Sequence, residues 1–433
     1  RVGELEATQF STTTKLSGAA YFVIGANTFG GNARQGRLDP QLSTGAVDGN
    51  GAFKSGGNST RRRNAAASAS GATSFNYDLR LFLDTSFTGK DLLRTMLRAG
   101  NFGSSAFGAG GYVGLDGMET AFEETAGADV VGVNRLWYQF PVGSNFTATV
   151  GAKVRQDDML AVWPSAYPAD TIIDFFTYAG SPATYNLSLG SGAGLWWEKD
   201  GFSVSANYVS NNGNDSNPRT GGIATDGAAS NGTVQIAYAP ENWGLAAAYN
   251  YASKNGGTVY PGNGTPLSNT FAGSGNSNSV GLSAWWTPED AGWIPSISTG
   301  WGYSNISSMA GVVMGGPGNR GNVKSADTQS WYVGLQWADA FLKGNSLGVA
   351  VGQPTFVTSL EYRNNANKSD FVADGNYAWE FWYMFQVTDN ISVTPAVYYL
   401  SRPYGELTNG TVSGNRSTTF NNFGGLVKTT FKF

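Results

Sequence analysis

The sequence predicts an all-β chain that folds as a transmembrane, antiparallel up-and-down β-barrel of about 16 strands. Three observations lead to this prediction. Side chains alternate between apolar and polar over short segments, short turns alternate with long polar segments, and the composition suits neither a soluble globule nor a helical membrane protein. Glycine accounts for 60 of the 433 residues, which is about twice its usual share of about 7%. Only 13% of the residues are charged, against a usual share of about a quarter. No run approaches the roughly 18 apolar residues of a transmembrane helix.

The alternation has the period of two that is typical of strands. Between Tyr77 and Phe87 the odd positions are mostly leucine or aromatic, whereas the even positions include Asp78, Arg80 and Asp84. The same pattern recurs near residues 93–99, 146–155, 202–208, 331–337 and 377–387, and it continues to the last residue, Phe433. Each such segment would present one apolar and one polar face, as the strands of a membrane barrel do.

Seven short turns join the segments in pairs, and they carry the Gly, Pro, Asn and Asp residues that turns require. They are Thr88–Lys90, Val142–Asn145, Lys199–Gly201, Pro240–Asn242, Pro288–Asp290, Asp339–Asn345 and Thr388–Asn390. Eight long segments rich in Gly, Asn and Ser separate the pairs, at about 28–73, 101–132, 156–189, 211–230, 253–276, 304–327, 352–375 and 401–419. Fifteen connections predict sixteen strands, with long loops at one end and short turns at the other.

The main alternative to a membrane barrel is a soluble propeller or sandwich with decorated loops. The apolar parity of such a protein would face a core and be mostly aliphatic. Here it is rich in aromatic residues near strand ends, which favours girdles at two membrane interfaces. These residues are Trp137, Tyr138, Phe140, Trp286, Trp301 and Tyr303.

The chain contains neither cysteine nor histidine. This excludes disulfides, Cys/His zinc sites and Ser-His or Cys-His catalysis, so we expect no enzyme activity, no cofactor and no metal site. An outer-membrane enzyme such as a lipase, protease or acyltransferase, with an Asp/Ser or Lys-based site, is the enzymatic alternative that this composition leaves open. The net charge of −4 provides no basic field for a nucleic acid, and no nucleic-acid partner is expected.

Alternation places a mostly basic set of side chains on the polar parity, which would face the lumen. The set is Lys15, Asp78, Arg80, Asp84, Arg94, Arg98, Arg135, Lys153, Arg155, Glu380, Lys428 and Lys432. A basic wall would favour anions. The alternative is that these charges pair with loop carboxylates and merely solvate the inner face. In the first loop, Arg61, Arg62 and Arg63 are expected to form a solvated charge run, with an anion funnel or a lipopolysaccharide contact as the alternative.

The third long segment is more apolar than its neighbours, with Trp163, Ile172, Phe175 and Phe176 among its residues. Exposure of such a loop would be unfavourable, so we expect it to fold into the lumen, with a short helix within 170–178. The alternative is a latch onto a neighbouring subunit. The predicted constriction comprises Arg80, Arg94, Arg98, Arg135, Lys153 and Arg155 on the wall, facing Asp157, Asp158, Asp170 and Asp174 on the loop.

Four stretches carry a family resemblance: Gln9–Leu16, Gly89–Thr95, Arg135–Pro141 and Asp157–Gly180. Together they resemble the cyanobacterial outer-membrane porins, an OprB-like branch of the carbohydrate-selective porins that is also called the iron-uptake porins. The resemblance implies an outer-membrane channel for passive diffusion of small hydrophilic solutes and inorganic ions, with iron among the candidates. A sugar-selective porin, or a largely closed barrel that tethers the outer membrane to the cell wall, is the alternative.

Members of this family carry an N-terminal surface-layer-homology domain and a coiled coil before the barrel. Residues 1–8 resemble the end of that coiled coil, and residues 9–433 would be the barrel. The resemblance implies outer-membrane lipid as surroundings, and peptidoglycan or another cell-wall polymer as a partner through the N-terminal domain, which we expect to be absent from this chain. Porin analogy predicts a homotrimer, and small side chains within 246–250 and 347–351 suggest close packing at the outer face.

Overall fold

The computed structural model describes residues 13–35, 61–254, 256, 261–290, 292–307, 309, 313–314, 321–363, 369–409 and 417–433. The predicted end of a coiled coil, residues 1–8, lies outside the described residues. In the part of the chain that is described, no helix is both long and apolar enough to cross a bilayer.

Sixteen antiparallel strands form one closed sheet, as predicted. Each strand pairs with the next along the chain, and the first also pairs with the last, for example Val23 with Lys428. The strands are β1 (Thr14–Gly31), β2 (Ser74–Thr85), β3 (Leu92–Gly100), β4 (Gly132–Val142), β5 (Phe146–Arg155), β6 (Leu189–Lys199), β7 (Phe202–Ser210), β8 (Ser230–Tyr238), β9 (Trp243–Ala252), β10 (Asn276–Trp286), β11 (Ser296–Ser307), β12 (Gly321–Ala338), β13 (Ser346–Tyr362), β14 (Tyr377–Thr388), β15 (Ile391–Ser401) and β16 (Phe420–Lys432). Two short strands lie within loops. Val313–Met314 pairs with β12, and Ser369–Phe371 pairs with β13.

The outer face of the barrel is apolar because the strands keep the period of two. In β9, Leu245 and Tyr249 point outward and are 52% and 43% exposed, whereas Ala246 and Ala248 point inward and are buried. The expectation that small side chains within 246–250 and 347–351 pack at the outer face is therefore wrong for these alanines and for Ala350, which is also buried inside. Bulky side chains cover the outside instead.

The predicted aromatic girdle is partly correct. Trp286 and Trp301 are exposed on the outer face. Trp137, in contrast, is buried in a core cluster with Val154 and Met159 inside the barrel. The reason is its spacing, because Trp137 lies two residues from Arg135 on β4 and therefore shares its inward face.

All seven short turns lie between strands as predicted, but two of the long loops are shorter than expected. β12 and β13 continue through residues that the sequence assigned to loops at 304–327 and 352–375. Polar side chains pair across these extensions, where Asp327 accepts hydrogen bonds from Tyr303 (2.8 Å), Asn305 (2.7 Å) and Ser359 (2.7 Å). Strand ends beyond the apolar band need no apolar face, so alternation of hydropathy does not mark them.

Two short helices lie in the loops above the barrel: α1 (Arg62–Ser70) in the first loop and α2 (Pro266–Phe271) in the fifth. Asp374 links α2 to the seventh and eighth loops. Its carboxylate accepts hydrogen bonds from the backbone amides of Val357 and Glu406 at 2.9 Å and from the hydroxyl of Thr265. Burial raises the pKa of Asp374 to about 7, although these donors oppose the shift.

Arg62 is fully buried, so the expectation of a solvated charge run is wrong for this residue. Its guanidinium donates to the carbonyl oxygens of Thr408 (2.9 Å) and Leu407 (3.3 Å) and to the hydroxyl of Tyr112 (3.2 Å). The guanidinium carbon also lies 4.2 Å from the ring centroid of Tyr404. One arginine of the triplet therefore joins the first, second and eighth loops, which a charge run in the sequence does not reveal.

Replacing this arginine should loosen the loops more than replacing its neighbour. In Arg62→Ala, two carbonyls and a hydroxyl lose their buried donor, so we expect a loss of about 1–3 kcal/mol in the free energy of unfolding. The control Arg63→Ala removes a partly exposed side chain, and its effect should stay within about 0.5 kcal/mol. Urea unfolding of both variants in the same detergent measures the difference. Equal stabilities would contradict the role assigned to Arg62.

Candidate functional site: the lumen and its inserted loops

The third loop, residues 156–188, folds into the lumen and runs along the inner wall, as the sequence predicted. Its first half is held to successive strands by hydrogen bonds. The Ser205 hydroxyl on β7 accepts from the Ala161 amide (3.0 Å), and Gln235 on β8 donates to the Val162 carbonyl (2.8 Å). On β11, the Ser298 hydroxyl accepts from the amide of Tyr167 (3.0 Å). The inner wall of β7–β11 is therefore covered by protein rather than by water.

The tip of the third loop is anchored on the opposite wall by Glu380 of β14. This carboxylate accepts hydrogen bonds from the Tyr167 hydroxyl and from the Ile173 amide, both at 2.8 Å, and Trp382 donates to the same hydroxyl at 2.8 Å. Lys428 of β16 donates to the Thr171 carbonyl at 2.8 Å. The loop thus spans its own lumen, which argues against the latch alternative. A single 3₁₀ turn, Asp174–Thr177, forms within the segment predicted as a short helix.

The returning half of the third loop lies against glycines of the wall. A Cβ at Gly300 of β11 would overlap the carbonyl oxygen of Ala179, and a Cβ at Gly302 would crowd Ser181. Ser330 of β12 fastens this stretch by donating to the Gly180 carbonyl at 2.8 Å. Glycine at these positions lets two backbones approach as closely as the lumen requires.

The second loop, residues 101–131, also enters the lumen, and sequence reasoning missed it. Phe107, Val113 and Leu115 are buried in the main core cluster together with residues of the third loop. The two loops meet where Met118 forms an antiparallel bridge with Ile173. The sequence shows a few apolar residues spaced through this glycine-rich stretch. Because the stretch has the composition of an ordinary surface loop, its course into the lumen is not evident from the sequence.

Polar contacts with three strands hold the second loop in place. The buried carboxylate of Asp116 accepts hydrogen bonds from Asn27 of β1 (3.2 Å) and from Asn422 of β16. Tyr398 of β15 donates to Asn27 at 2.6 Å. These wall residues are far from Asp116 in the sequence, and therefore only the fold shows that they form one cluster.

The arginines of β2 and β3 lie inside the barrel, next to acids of the same strands. Arg98 donates two hydrogen bonds to Asp78, at 2.9 and 2.5 Å, and Arg80 contacts the same carboxylate at 3.2 Å. Arg94 makes a bidentate pair with Asp84, at 2.9 and 2.7 Å. Bidentate pairs of this kind fix both partners in orientation as well as in charge.

Two further arginines pair with the beginning of the third loop. Arg135 contacts Asp158 at 2.8 Å, and Arg155 makes a bidentate pair with Asp157, with both distances 2.6 Å. The expected arrangement was a basic wall facing an acidic loop across the lumen. In the structure these pairs are instead local, between residues adjacent in sequence or on neighbouring elements.

The other two predicted loop acids lie apart from these pairs. Asp170 lies near Lys428, whose charge holds the pKa of Asp170 below its usual value. Asp174 contacts Glu119 of the second loop. Within the described part of the chain, no group of three or more Asp, Glu, His or Cys side chains is arranged to hold a metal ion.

Lys153 does not share the face of Arg155, contrary to simple alternation. Gly151 pairs with Gly192 and Val154 with Gly190, so β5 has one extra residue between these positions. This bulge turns Val154 into the core and pairs Lys153 with Leu136, whose side chain is exposed on the outer face. Residues directly paired on neighbouring antiparallel strands lie on the same face, so Lys153 lies on the outer face with Leu136, and the prediction for Lys153 is wrong because of this local bulge.

Several of the paired charges keep contact with solvent. The side chains of Arg94 and Asp84 are 32% and 25% exposed, and those of Arg155 and Asp157 are 22% and 21% exposed. These residues lie on β2–β5 and at the start of the third loop. The wetted, charged side of the lumen is therefore opposite the part that the third loop covers.

Comparisons with known proteins agree with this architecture. An uncharacterized protein of Nostoc sp. is 26% identical over 464 residues, which cover 100% of this chain and 68% of that protein. An uncharacterized protein of Synechocystis sp. is 26% identical over 373 residues, covering 78% of this chain and 62% of that protein. The structure of OprB from Pseudomonas putida matches 100% of this chain and 97% of its own, with a TM-score of 0.56 and 10% identity, and shares the fold. The OprB family model, described as carbohydrate-selective porin, matches residues 1–433, and the chain belongs to this family.

Proposed function

We propose that this porin passes inorganic ions and small polar molecules through a passage between its two inserted loops and the charged inner faces of β2–β5. That the chain forms an outer-membrane porin channel for small hydrophilic solutes follows from its family and its closed barrel. The family and the fold indicate a channel rather than an enzyme. What we propose in addition is the size and the charge of the solutes that pass through the channel.

The observation that carries the proposal is the presence of two loops in one lumen. A barrel of sixteen strands is wide enough to leave an aqueous channel. Here the third loop covers the wall from β7 to β14, and the second loop packs against β1, β15 and β16. What remains is narrower than the empty barrel, which favours small solutes.

A sugar-selective channel is the second candidate, because the family is described by that selectivity. Sugar binding in a pore would need aromatic faces that are open to the lumen. The large aromatic residues that line the crossing of the third loop, Tyr167, Tyr332 and Trp382, are buried and hydrogen-bonded to one another or to loop residues. This arrangement favours ions and small polar molecules over sugars.

We propose that the chain assembles as a homotrimer in outer-membrane lipid. The basis for this proposal is the analogy with other porins and not a specific contact in the structure. The curated relatives are longer than this chain, which spans 68% and 62% of them. In a longer protein of this kind, an additional N-terminal domain would bind peptidoglycan or another cell-wall polymer and make the barrel a tether as well as a channel.

Native mass spectrometry in mild detergent tests the assembly, and a trimer is the expected species. Detection of monomers alone, even at high protein concentration, would contradict the trimer. Co-sedimentation with purified peptidoglycan tests the tether: the barrel portion tested alone, residues 9–433, should stay in the supernatant.

Shortening the second loop should widen the channel. We expect that replacing residues 103–118 with a short Gly-Ser linker raises the single-channel conductance severalfold in planar bilayers, because this stretch packs inside the barrel. The same linker in place of residues 213–226 of the exposed fourth loop is the control and should leave conductance unchanged.

In liposome swelling, the wild-type chain should admit urea and glycerol much faster than sucrose. An equal rate for sucrose would contradict the proposed size limit.

Charge selectivity should depend on Arg155 and not on Lys153. In Arg155→Gln, Asp157 loses its partner, so the reversal potential in a salt gradient should shift toward cations. Two unit charges about 8 Å apart in water interact by only about 0.5 kcal/mol, and the shift should be modest and weaker at 1 M than at 0.1 M salt. The matched control Lys153→Gln removes a charge from the outer face and should leave the potential unchanged. An effect of Lys153→Gln alone would overturn this assignment.

A further inference from the structure

Three loops meet inside the barrel around two acidic side chains. The bridge between Met118 and Ile173, together with a hydrogen bond from the Asp174 amide to the Gly117 carbonyl (3.0 Å), places Glu119 beside Asp174. At this position the carboxyl group of Glu119 interacts directly with that of Asp174. Asp174 is buried, whereas Glu119 is partly exposed toward the lumen.

Two carboxylates in contact repel each other unless a proton or a cation lies between them. The nearby arginines compensate this repulsion only in part, because Arg80 and Arg98 share one aspartate, Asp78, and Arg155 pairs with Asp157. With the pair itself, this group has three positive and four negative side chains when all are ionised. An excess negative charge therefore remains at the meeting point of the loops.

A third polar side chain, Asn263 of the fifth loop, lies beside Asp174. Asn263 is fully buried, and its Nδ2 donates to Asp174 at 2.9 Å, while its Oδ1 has no hydrogen-bond partner. A buried amide oxygen without a partner is costly. A half-turn of the amide exchanges Oδ1 and Nδ2 and would bring the oxygen to the carboxylate. That orientation is favourable when a cation, or a proton on the carboxyl group, lies between the two oxygens.

We propose that Glu119, Asp174 and Asn263 form a binding site for a hard divalent cation, Ca²⁺ above all, which clamps the second, third and fifth loops together. Carboxylate and amide oxygens are the ligands that Ca²⁺ takes, six to eight at a time in flexible geometry. Water supplies the remaining ligands, because the Glu119 side of the site opens to the lumen. Mg²⁺ requires a stricter octahedral arrangement and should bind more weakly.

Occupancy of this site changes the charge of the passage. The local excess of one negative charge becomes an excess of one positive charge when a divalent cation binds. The bound ion would also hold the second loop against the third, because each provides one carboxylate. The site is independent of which solutes the channel admits, so its existence can be tested without conductance.

Terbium luminescence provides that test, since Tb³⁺ occupies Ca²⁺ sites and is excited through nearby aromatic rings such as Tyr178. We expect the refolded full chain to give saturable emission that Ca²⁺ displaces and Mg²⁺ displaces less well. Glu119→Gln should weaken Tb³⁺ binding at least tenfold, and Asp174→Asn likewise. Asp84→Asn removes a lumen carboxylate outside the site and should bind normally. No saturable emission from the wild-type chain, or equal binding by Glu119→Gln, would overturn the proposal.

The effect on the channel is measured by the reversal potential in a KCl gradient, first in EDTA and then with millimolar CaCl₂. The wild-type and Asp84→Asn channels should shift toward anions, and Glu119→Gln should not respond. An equal shift in all three would mean general charge screening and would contradict the site. A potential that responds to pH but not to CaCl₂, with the response lost in Glu119→Gln, would show a shared proton instead. Failure of conductance alone would count against the proposed function and not against this site.

Discussion

The closure of the sheet is the constraint on which the rest of the structure depends. A sheet in lipid has no water for its backbone groups, so each strand must pair on both sides, and pairing of β1 with β16 meets this requirement. Closure with sixteen strands also creates a lumen that wall side chains alone cannot fill. Loops therefore enter it, and their packing against the inner wall decides how much aqueous passage remains.

The inner wall is adapted to receive these loops. Where the third loop returns, the wall has glycine at Gly300 and Gly302, so that two backbones come into contact. Where the loop crosses, the wall presents Glu380, a carboxylate that accepts from the loop at two points. Small residues thus provide space and one acid provides attachment, and both are needed because an inserted loop must satisfy its own polar groups away from bulk water.

The charged side of the lumen follows a different rule. Arginine and aspartate occur there as local pairs, such as Arg94 with Asp84, whose charges largely cancel. Partial exposure keeps these pairs hydrated, which reduces the cost of placing ions in a narrow passage. The selectivity that we propose for this lumen depends on the charges whose pairing is incomplete, among them Glu119 and Asp174.

The sequence by itself determined the barrel, the number of strands and the inward course of the third loop. These features follow from local patterns: alternation of period two, turn residues, and the apolar content of one loop. Only the tertiary structure decided what each charge faces. One extra residue in β5 turns Lys153 outward, and Asn27 and Asn422, far away in sequence, hold the second loop in the lumen. A bulge leaves no mark in composition, and contacts across a closed sheet depend on strand register, which hydropathy alone does not specify.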